Sequence, residues 1–248
     1  MDGVWSPWVA TVTLGDASFP PLPSSAGALT ADVDEFRATR PIDAVRLRVR
    51  CRGPLAGGWL MTLSAADDER ADIGAPIGAA SLAVPPLTQR TEDPAIALRI
   101  CSATSVAMVL GYLGRAAAPA AVARDAYHAG TDQYGVWPAA IRAAAMRGVA
   151  GYLLRFPDWP TAAWCLARGL PIVASVRYAA GELTGAAIES TTGHLVVLTG
   201  YENDAVLVND PAATTVAEVP RRYRRAELGR VWLERRGVGY VLFDPARD

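Results

Sequence analysis

Hydrophobic and polar positions change their rhythm along this chain. In the first third they alternate. Val45-Arg46-Leu47-Arg48-Val49-Arg50-Cys51-Arg52 puts apolar side chains on one face and arginines on the other, the period of a half-buried strand. Val9 to Leu14 and Leu60 to Ser64 read as two further short strands. Pro20-Pro21-Leu22-Pro23, Gly53-Pro54 and Gly57-Gly58 punctuate them as turn and loop signals. From Ala66 to Ala80 the chain is first charged, then rich in Gly, Ala and Pro, which predicts a linker ending near Val84-Pro85-Pro86.

Beyond that point helical and strand-like periods take turns. Val106, Val109, Leu110 and Leu113 recur at helical spacing, and Gly114 is a natural C-terminal stop. Trp137-Pro138 opens a second helix running through Met146 to Gly148, and Ala162 to Arg168 predicts a third, closed by Gly169. Strands are predicted at Ile172 to Tyr178, His194 to Tyr201, Ala205 to Asn209 and Gly239 to Phe243. The pattern predicts an α+β protein in which a small β-rich domain, residues 1–80, precedes a mixed domain over residues 84–248.

Composition narrows the function classes. A chain of 248 residues, 51% hydrophobic and 20% charged with a net charge of −1, has ample material for a core and no cationic excess to attract nucleic acid. All 24 basic residues are Arg, so Walker-type phosphate loops, Schiff-base chemistry and a Lys general base are excluded. Three cysteines without close spacing argue against a disulfide framework or Cys-rich zinc site, and two histidines against a His-based metal cage. Neither a metal nor an organic cofactor is expected. The N-terminus has no basic stretch followed by an apolar one, so no signal peptide is read there, and no apolar run is long enough to span a membrane. A cytoplasmic location is the default, with export by another route and the oligomeric state left open.

Candidate chemistry centres on Cys101, at the head of the predicted Cys101–Gly114 helix. Unpaired N–H groups and the positive dipole end at a helix N-terminus favour the thiolate, the nucleophilic form. A proton acceptor is available downstream in His194. If Glu202-Asn203-Asp204 form a three-residue turn, Val196 faces Asp210, and His194 and Asp210 become diagonal neighbours on one face, roughly 7–8 Å apart at Cα. Asp210 is then placed to orient the imidazole and leave its other nitrogen for the thiol. A turn one residue longer or shorter puts the two on opposite faces. Gln89, upstream, is a candidate amide donor to an oxyanion, together with the Cys101 N–H.

Other chemistry-bearing residues read as structural. Cys51 and Cys165 are small core hydrophobes, and His128 has neither an acidic nor a thiol neighbour in sequence. The Arg221-Arg222-Tyr223-Arg224-Arg225 cluster is a solvated face. Most tryptophans belong to the core, with Trp137 and Trp159 as candidates for lining a cleft.

From Val84 to Asp248 the chain resembles the papain-like cysteine peptidases related to the bacteriocin leader-processing, or double-glycine, peptidases. The matching segments are Val84-Pro85-Pro86-Leu87-Thr88-Gln89, Cys101 through Gly114, Gly169-Leu170-Pro171-Ile172-Val173-Ala174-Ser175-Val176, Gly193-His194-Leu195-Val196-Val197-Leu198-Thr199-Gly200-Tyr201 and Val208-Asn209-Asp210-Pro211. Relatives often carry Pro two residues after the nucleophile; here that position is Ala103. The resemblance implies a Cys-bearing helix packed on an antiparallel sheet that carries His and Asp. It also implies Cys101 as nucleophile, His194 as base, Asp210 as orienting group and Gln89 as oxyanion donor. The expected reaction is hydrolysis of a peptide or protein substrate through a thioester acyl-enzyme. Acyl transfer to an amine by the same triad, and a non-catalytic peptide-binding module on a peptidase-like fold, are the alternatives.

Overall fold

Apolar runs uninterrupted by polar residues, such as Ile172-Val173-Ala174 and Leu195-Val196-Val197-Leu198, belong in a sheet covered on both faces. A computed structural model of the protein, describing residues 4–15, 18–53, 60–65, 74–75 and 78–246, has them there. The chain separates into two units, Met1–Trp59 and Leu60–Asp248.

The first unit holds a small antiparallel sheet of β1 (Ser25–Ala26), β2 (Leu29–Ala31) and β3 (Phe36–Ala38). None of the segments predicted as strands, Val9 to Leu14, Val45 to Arg52 or Leu60 to Ser64 of the second unit, joins a ladder. The reason is visible in the alternating segment. Val45, Leu47 and Val49 remain 50%, 39% and 55% exposed, so its apolar face finds no layer to cover it. The opposite face makes the contacts instead: Arg46 stacks over Trp5 at 3.9 Å, Arg48 over Trp8 at 4.1 Å, and Arg50 and Arg52 approach Phe19. Cys51, expected in the core, is exposed with its neighbours. The linker predicted over Ala66 to Ala80 lies largely outside the described residues.

The second unit is built on a seven-stranded antiparallel sheet in the order β5 (Ala150–Arg155), β10 (Val238–Phe243), β6 (Ile172–Tyr178), β7 (Thr191–Glu202), β8 (Ala205–Asn209) and β9 (Pro220–Arg224), with β4 (Ala80–Ser81) added along β7. The pairing of Ser81 with Gly200 requires glycine: a Cβ there would lie 2.2 Å from the Ala80 carbonyl oxygen. Among the described residues, five α-helices pack with this sheet: α1 (Cys101–Tyr112), α2 (Pro119–Ala126), α3 (Trp137–Ala145), α4 (Trp159–Ala167) and α5 (Arg225–Val231).

Alternate residues of the central strands feed two cores. Val173, Leu195, Val197, Tyr240 and Leu242 pack with α1, α2 and α3. Ile172, Ala174, Val196, Leu198 and Val241 pack with α4, α5 and Trp232. Trp137 and Trp159, the cleft candidates, are 9% and 2% exposed and belong to these cores. Both sit where a helix starts against the sheet, and bulk is buried there rather than displayed.

Helix α1 is covered from Ser102 to Leu110, as befits a helix apolar all round. Gly114, with φ +75°, ends it, and Arg115 N–H closes back to the Leu110 carbonyl at 2.8 Å. Two buried hydroxyls pin its first turns to the sheet. Ser105 Oγ donates to the Leu195 carbonyl at 3.2 Å, and Ser102 Oγ meets Tyr240 Oη at 3.2 Å.

Candidate active site

Cys101 is the first residue of α1, and Ile100 before it offers no side-chain cap. The first-turn N–H groups are therefore available to the sulfur. Backbone hydrogen bonds from Ser102 and Leu195 reach the thiol, and so does the His194 ring. The Leu195 contact follows from the Ser105 pin, which lays the head of α1 beside β7.

His194 and Asp210 meet as the register arithmetic required, by a different route. The β7–β8 turn has two residues, Asn203-Asp204, with Asn203 left-handed at φ +50°, so Glu202 pairs with Ala205 and Gly200 with Leu207. This is one residue short of the expected turn. A bulge at Thr199 then inserts the missing residue, and Leu198 pairs with Val208 and Val197 with Asn209. The two one-residue offsets cancel. His194 Nε2 lies 2.8 Å from Asp210 Oδ1, with both residues buried, which leaves Nδ1 for the sulfur.

Electrostatics follow from this contact. Burial alone would raise the Cys101 thiol. The hydrogen bond and charge of His194, with the two backbone donors, outweigh it and lower the thiol below its ordinary value. Burial works the other way on His194, yet the bonds to Asp210 and Cys101 push it up to about 10. Asp210 likewise resists burial and stays below the usual carboxylate range, held by His194, the Ala212 N–H at 3.0 Å and the Tyr223 hydroxyl at 2.9 Å. The group is arranged to hold a thiolate–imidazolium pair backed by a carboxylate. Cys165, buried without such partners, is pushed up by burial.

Gln89 opens a single 3₁₀ turn, Gln89–Thr91, and is 4% exposed, with no hydrogen-bond partner for Oε1. Its turn is fastened to the loop after Asp210. Gln89 N–H donates to the Pro211 carbonyl at 2.9 Å, Arg90 Nε to Ala212 at 3.1 Å, and buried Thr88 Oγ1 to Ala213. The tetrapeptide Asp210-Pro211-Ala212-Ala213 thus carries the carboxylate at one end and anchors the amide-bearing turn at the other.

Thr88 and Tyr223 escaped the sequence reading. For Tyr223 a signal existed: Arg222-Tyr223-Arg224 alternates, and the residue between two outward arginines is the inward one of a strand. Around it the arginine cluster is paired rather than merely solvated, Arg222 with Glu202 and Arg225 with Asp204. His128 organises its own loop, Nδ1 to Thr131 Oγ1 at 2.8 Å.

A cysteine at the head of a buried helix, packed on an antiparallel sheet that brings a histidine and an aspartate to it, is the architecture of the papain-like cysteine peptidases. The chain belongs to the Peptidase_C39 like family, whose model matches residues 81–240. Among solved structures it is similar to a putative C39-like peptidase from Bacillus anthracis, with 17% identity over 68% of this chain and 100% of that one and a TM-score of 0.51. It is also similar to a double glycine motif protease from an AMS/PCAT transporter in complex with a leader peptide, with 18% identity, 66% and 94% coverage and TM-score 0.45. The peptidase domain of Streptococcus ComA, a bi-functional ABC transporter involved in a quorum sensing pathway, matches at 14% identity, 64% and 98% coverage and TM-score 0.46. No curated protein matches the chain. Among the described residues no helix is long and apolar enough to cross a membrane.

Proposed function

We propose that the protein is a cysteine peptidase acting through Cys101, His194 and Asp210, with Gln89 assisting at the oxyanion. The supporting observation is the continuous chain of contacts from the Cys101 thiol through the His194 ring to Asp210, 2.8 Å from Nε2. The Cys101 thiolate attacks the carbonyl carbon of a peptide bond. The Cys101 N–H and the Gln89 side-chain amide donate to the oxyanion that forms. As the tetrahedral adduct collapses, the C–N bond breaks and the His194 imidazolium protonates the departing amine, leaving a thioester on Cys101. His194, now neutral, takes a proton from water. The resulting hydroxide displaces the acyl group as a carboxylic acid and restores the thiolate–imidazolium pair.

The retained thiol favours this reading over a peptide-binding module, for which a thiolate-stabilising site is unnecessary. The test is a peptide bearing a thiol-directed electrophile, applied at about pH 6, where an ordinary thiol is mostly protonated. One adduct is expected, on Cys101, with none on exposed Cys51 or buried Cys165, and none after Cys101→Ala. Labelling of Cys51 in preference to Cys101 would reject the proposal.

A further inference from the structure

Asp210 is held from a side that the cysteine–histidine–aspartate scheme leaves out. Oδ1 receives His194 Nε2 and the Ala212 N–H, whereas Oδ2 receives the Tyr223 hydroxyl at 2.9 Å. Tyr223 is the fourth of the five residues of β9, is 1% exposed, and reaches Asp210 from the strand beyond the one that leads into it. A second phenol, Tyr178 on β6, is 3% exposed and close enough to feel the Asp210 charge, yet its hydroxyl has no hydrogen-bond partner. Two buried phenols flank one carboxylate, and only one is aimed at it.

We propose that Tyr223 is a positioning residue of the reaction. By donating to Oδ2 it fixes the Asp210 carboxylate against the His194 ring and draws charge away from Oδ1, keeping the imidazolium acidic enough to protonate the leaving amine. This inference rests on the assignment of Cys101, His194 and Asp210 proposed above.

Asp210 is a buried carboxylate with few donors. Removing one leaves an oxygen unsatisfied and concentrates charge on the other, so the histidine bonded there holds its proton more tightly. The groups facing Asp210 are His194 on β7 with Cys101 of α1 behind it, Tyr178 on β6 and Tyr223 on β9, and the Arg221 charge on β9 acts on the two phenols. Arg221 Nη1 is committed to the Gly185 carbonyl at 2.7 Å, and Tyr178 is not hydrogen-bonded. Arg221 Nε is unpartnered as well, and Asp210 takes its hydrogen bonds from His194, Ala212 and Tyr223.

The chain has two histidines, so ¹⁵N-histidine labelling gives two ring systems to follow by NMR, with His128 as the internal reference. Iodoacetamide alkylation of Cys101 at about pH 6 is measured in parallel. In Tyr223→Phe the His194 titration is expected to move upward by up to about one pH unit, the size of one hydrogen bond to a charged group. Alkylation at about pH 6 is retained, and His128 does not move. Tyr178→Phe leaves both rings unmoved. An unshifted His194 in a folded Tyr223→Phe chain, or an equal shift in Tyr178→Phe, overturns the proposal; a purely structural tyrosine would lower the melting temperature without moving the titration. Should Tyr223→Phe fail to fold, 3-fluorotyrosine incorporated throughout the Tyr178→Phe chain supplies a stronger donor. The titration should then move downward, and no movement overturns the proposal. A wild-type Cys101 inert to iodoacetamide at about pH 6 would instead sink the underlying peptidase assignment.

Discussion

Asp210 shows how much of the site depends on single atoms. It is buried, and its three donors come from three places: a histidine on β7, a backbone N–H two residues on and a phenol on β9. Asp210→Asn keeps the shape but removes the charge that supports an imidazolium. Turnover of a peptide substrate should fall by at least about 10²-fold, while circular dichroism stays unchanged. The pair Cys101–His194 sets the pH behaviour. Because Cys101 is lowered and His194 raised to about 10, alkylation by iodoacetamide should set in at a lower pH than for an unassisted thiol and hold through the neutral range. In His194→Ala it should instead rise only as an unassisted thiol ionises. Linkage gives the matching stability dependence. His194 is raised above its ordinary 6.5, so its contribution is complete below pH 6.5 and is lost as the pH climbs towards about 10. Asp210 is lowered from 3.8, so its contribution is present above that value and is lost as the pH falls through its folded value. The gap in melting temperature between wild type and His194→Gln should therefore narrow between pH 6.5 and about 10.

Elements place these atoms through registers and ties. The β7–β8 hairpin brings His194 to Asp210 only because a short turn at Asn203-Asp204 is offset by the bulge at Thr199. Deleting Thr199 removes the extra residue and leaves the β7–β8 pairs in place, so His194 should stay on the Asp210 face and alkylation of Cys101 at about pH 6 should persist, as read by mass spectrometry. The Gln89 turn hangs on a second tie. Thr88→Val removes a buried hydroxyl donor and strands its acceptor carbonyl, which should cost ~1–3 kcal/mol in urea denaturation. It should also slow turnover more than it changes alkylation, since the oxyanion donor is loosened while the thiol is untouched. Neither device was legible beforehand. The alternation of His194-Leu195-Val196-Val197-Leu198 and the spacing to Asp210 could be counted, but a bulge has no sequence period of its own. Thr88 hydrogen-bonds to a carbonyl more than a hundred residues away.

At the scale of the molecule, both cores lie in the second unit. From the first, only Ala31 appears among the buried apolar residues described. A chain beginning at Leu60 should accordingly fold and keep the reactivity of Cys101, as alkylation and thermal melting would register. The core behind the sheet is keyed by Trp232, fully buried, with Nε1 donating to Val238 at 2.9 Å and its ring against Phe156 and Trp159. Trp232→Ala should cost roughly 3–5 kcal/mol of stability in chemical denaturation, mostly from cavity formation. Helices α1, α3 and α4 and the four strands β6, β7, β8 and β10 were readable, because their faces are apolar at a clear period and Gly or Pro marks their ends. Helix α2 and strand β5 were not. Pro119–Ala126 is largely alanine and charge, and Ala150–Arg155 is short and half-buried throughout. Each takes its form from neighbours it packs against.

Residue order alone determined that a thiol would head an apolar helix, that an imidazole would stand in a long buried strand, and that a carboxylate would follow on the next. Those are local properties of period, cap and turn. Tertiary structure decided the rest: the cancellation of turn and bulge, the buried phenol that reaches Asp210, and the loop that joins the carboxylate to the Gln89 turn. It also turned the expected strand of Val45 to Arg52 into an uncovered segment stacked on its arginine side. The division has a physical reason. Local patterns record which faces a segment prefers to bury, whereas contacts between distant segments exist only once packing has chosen which of those faces meet.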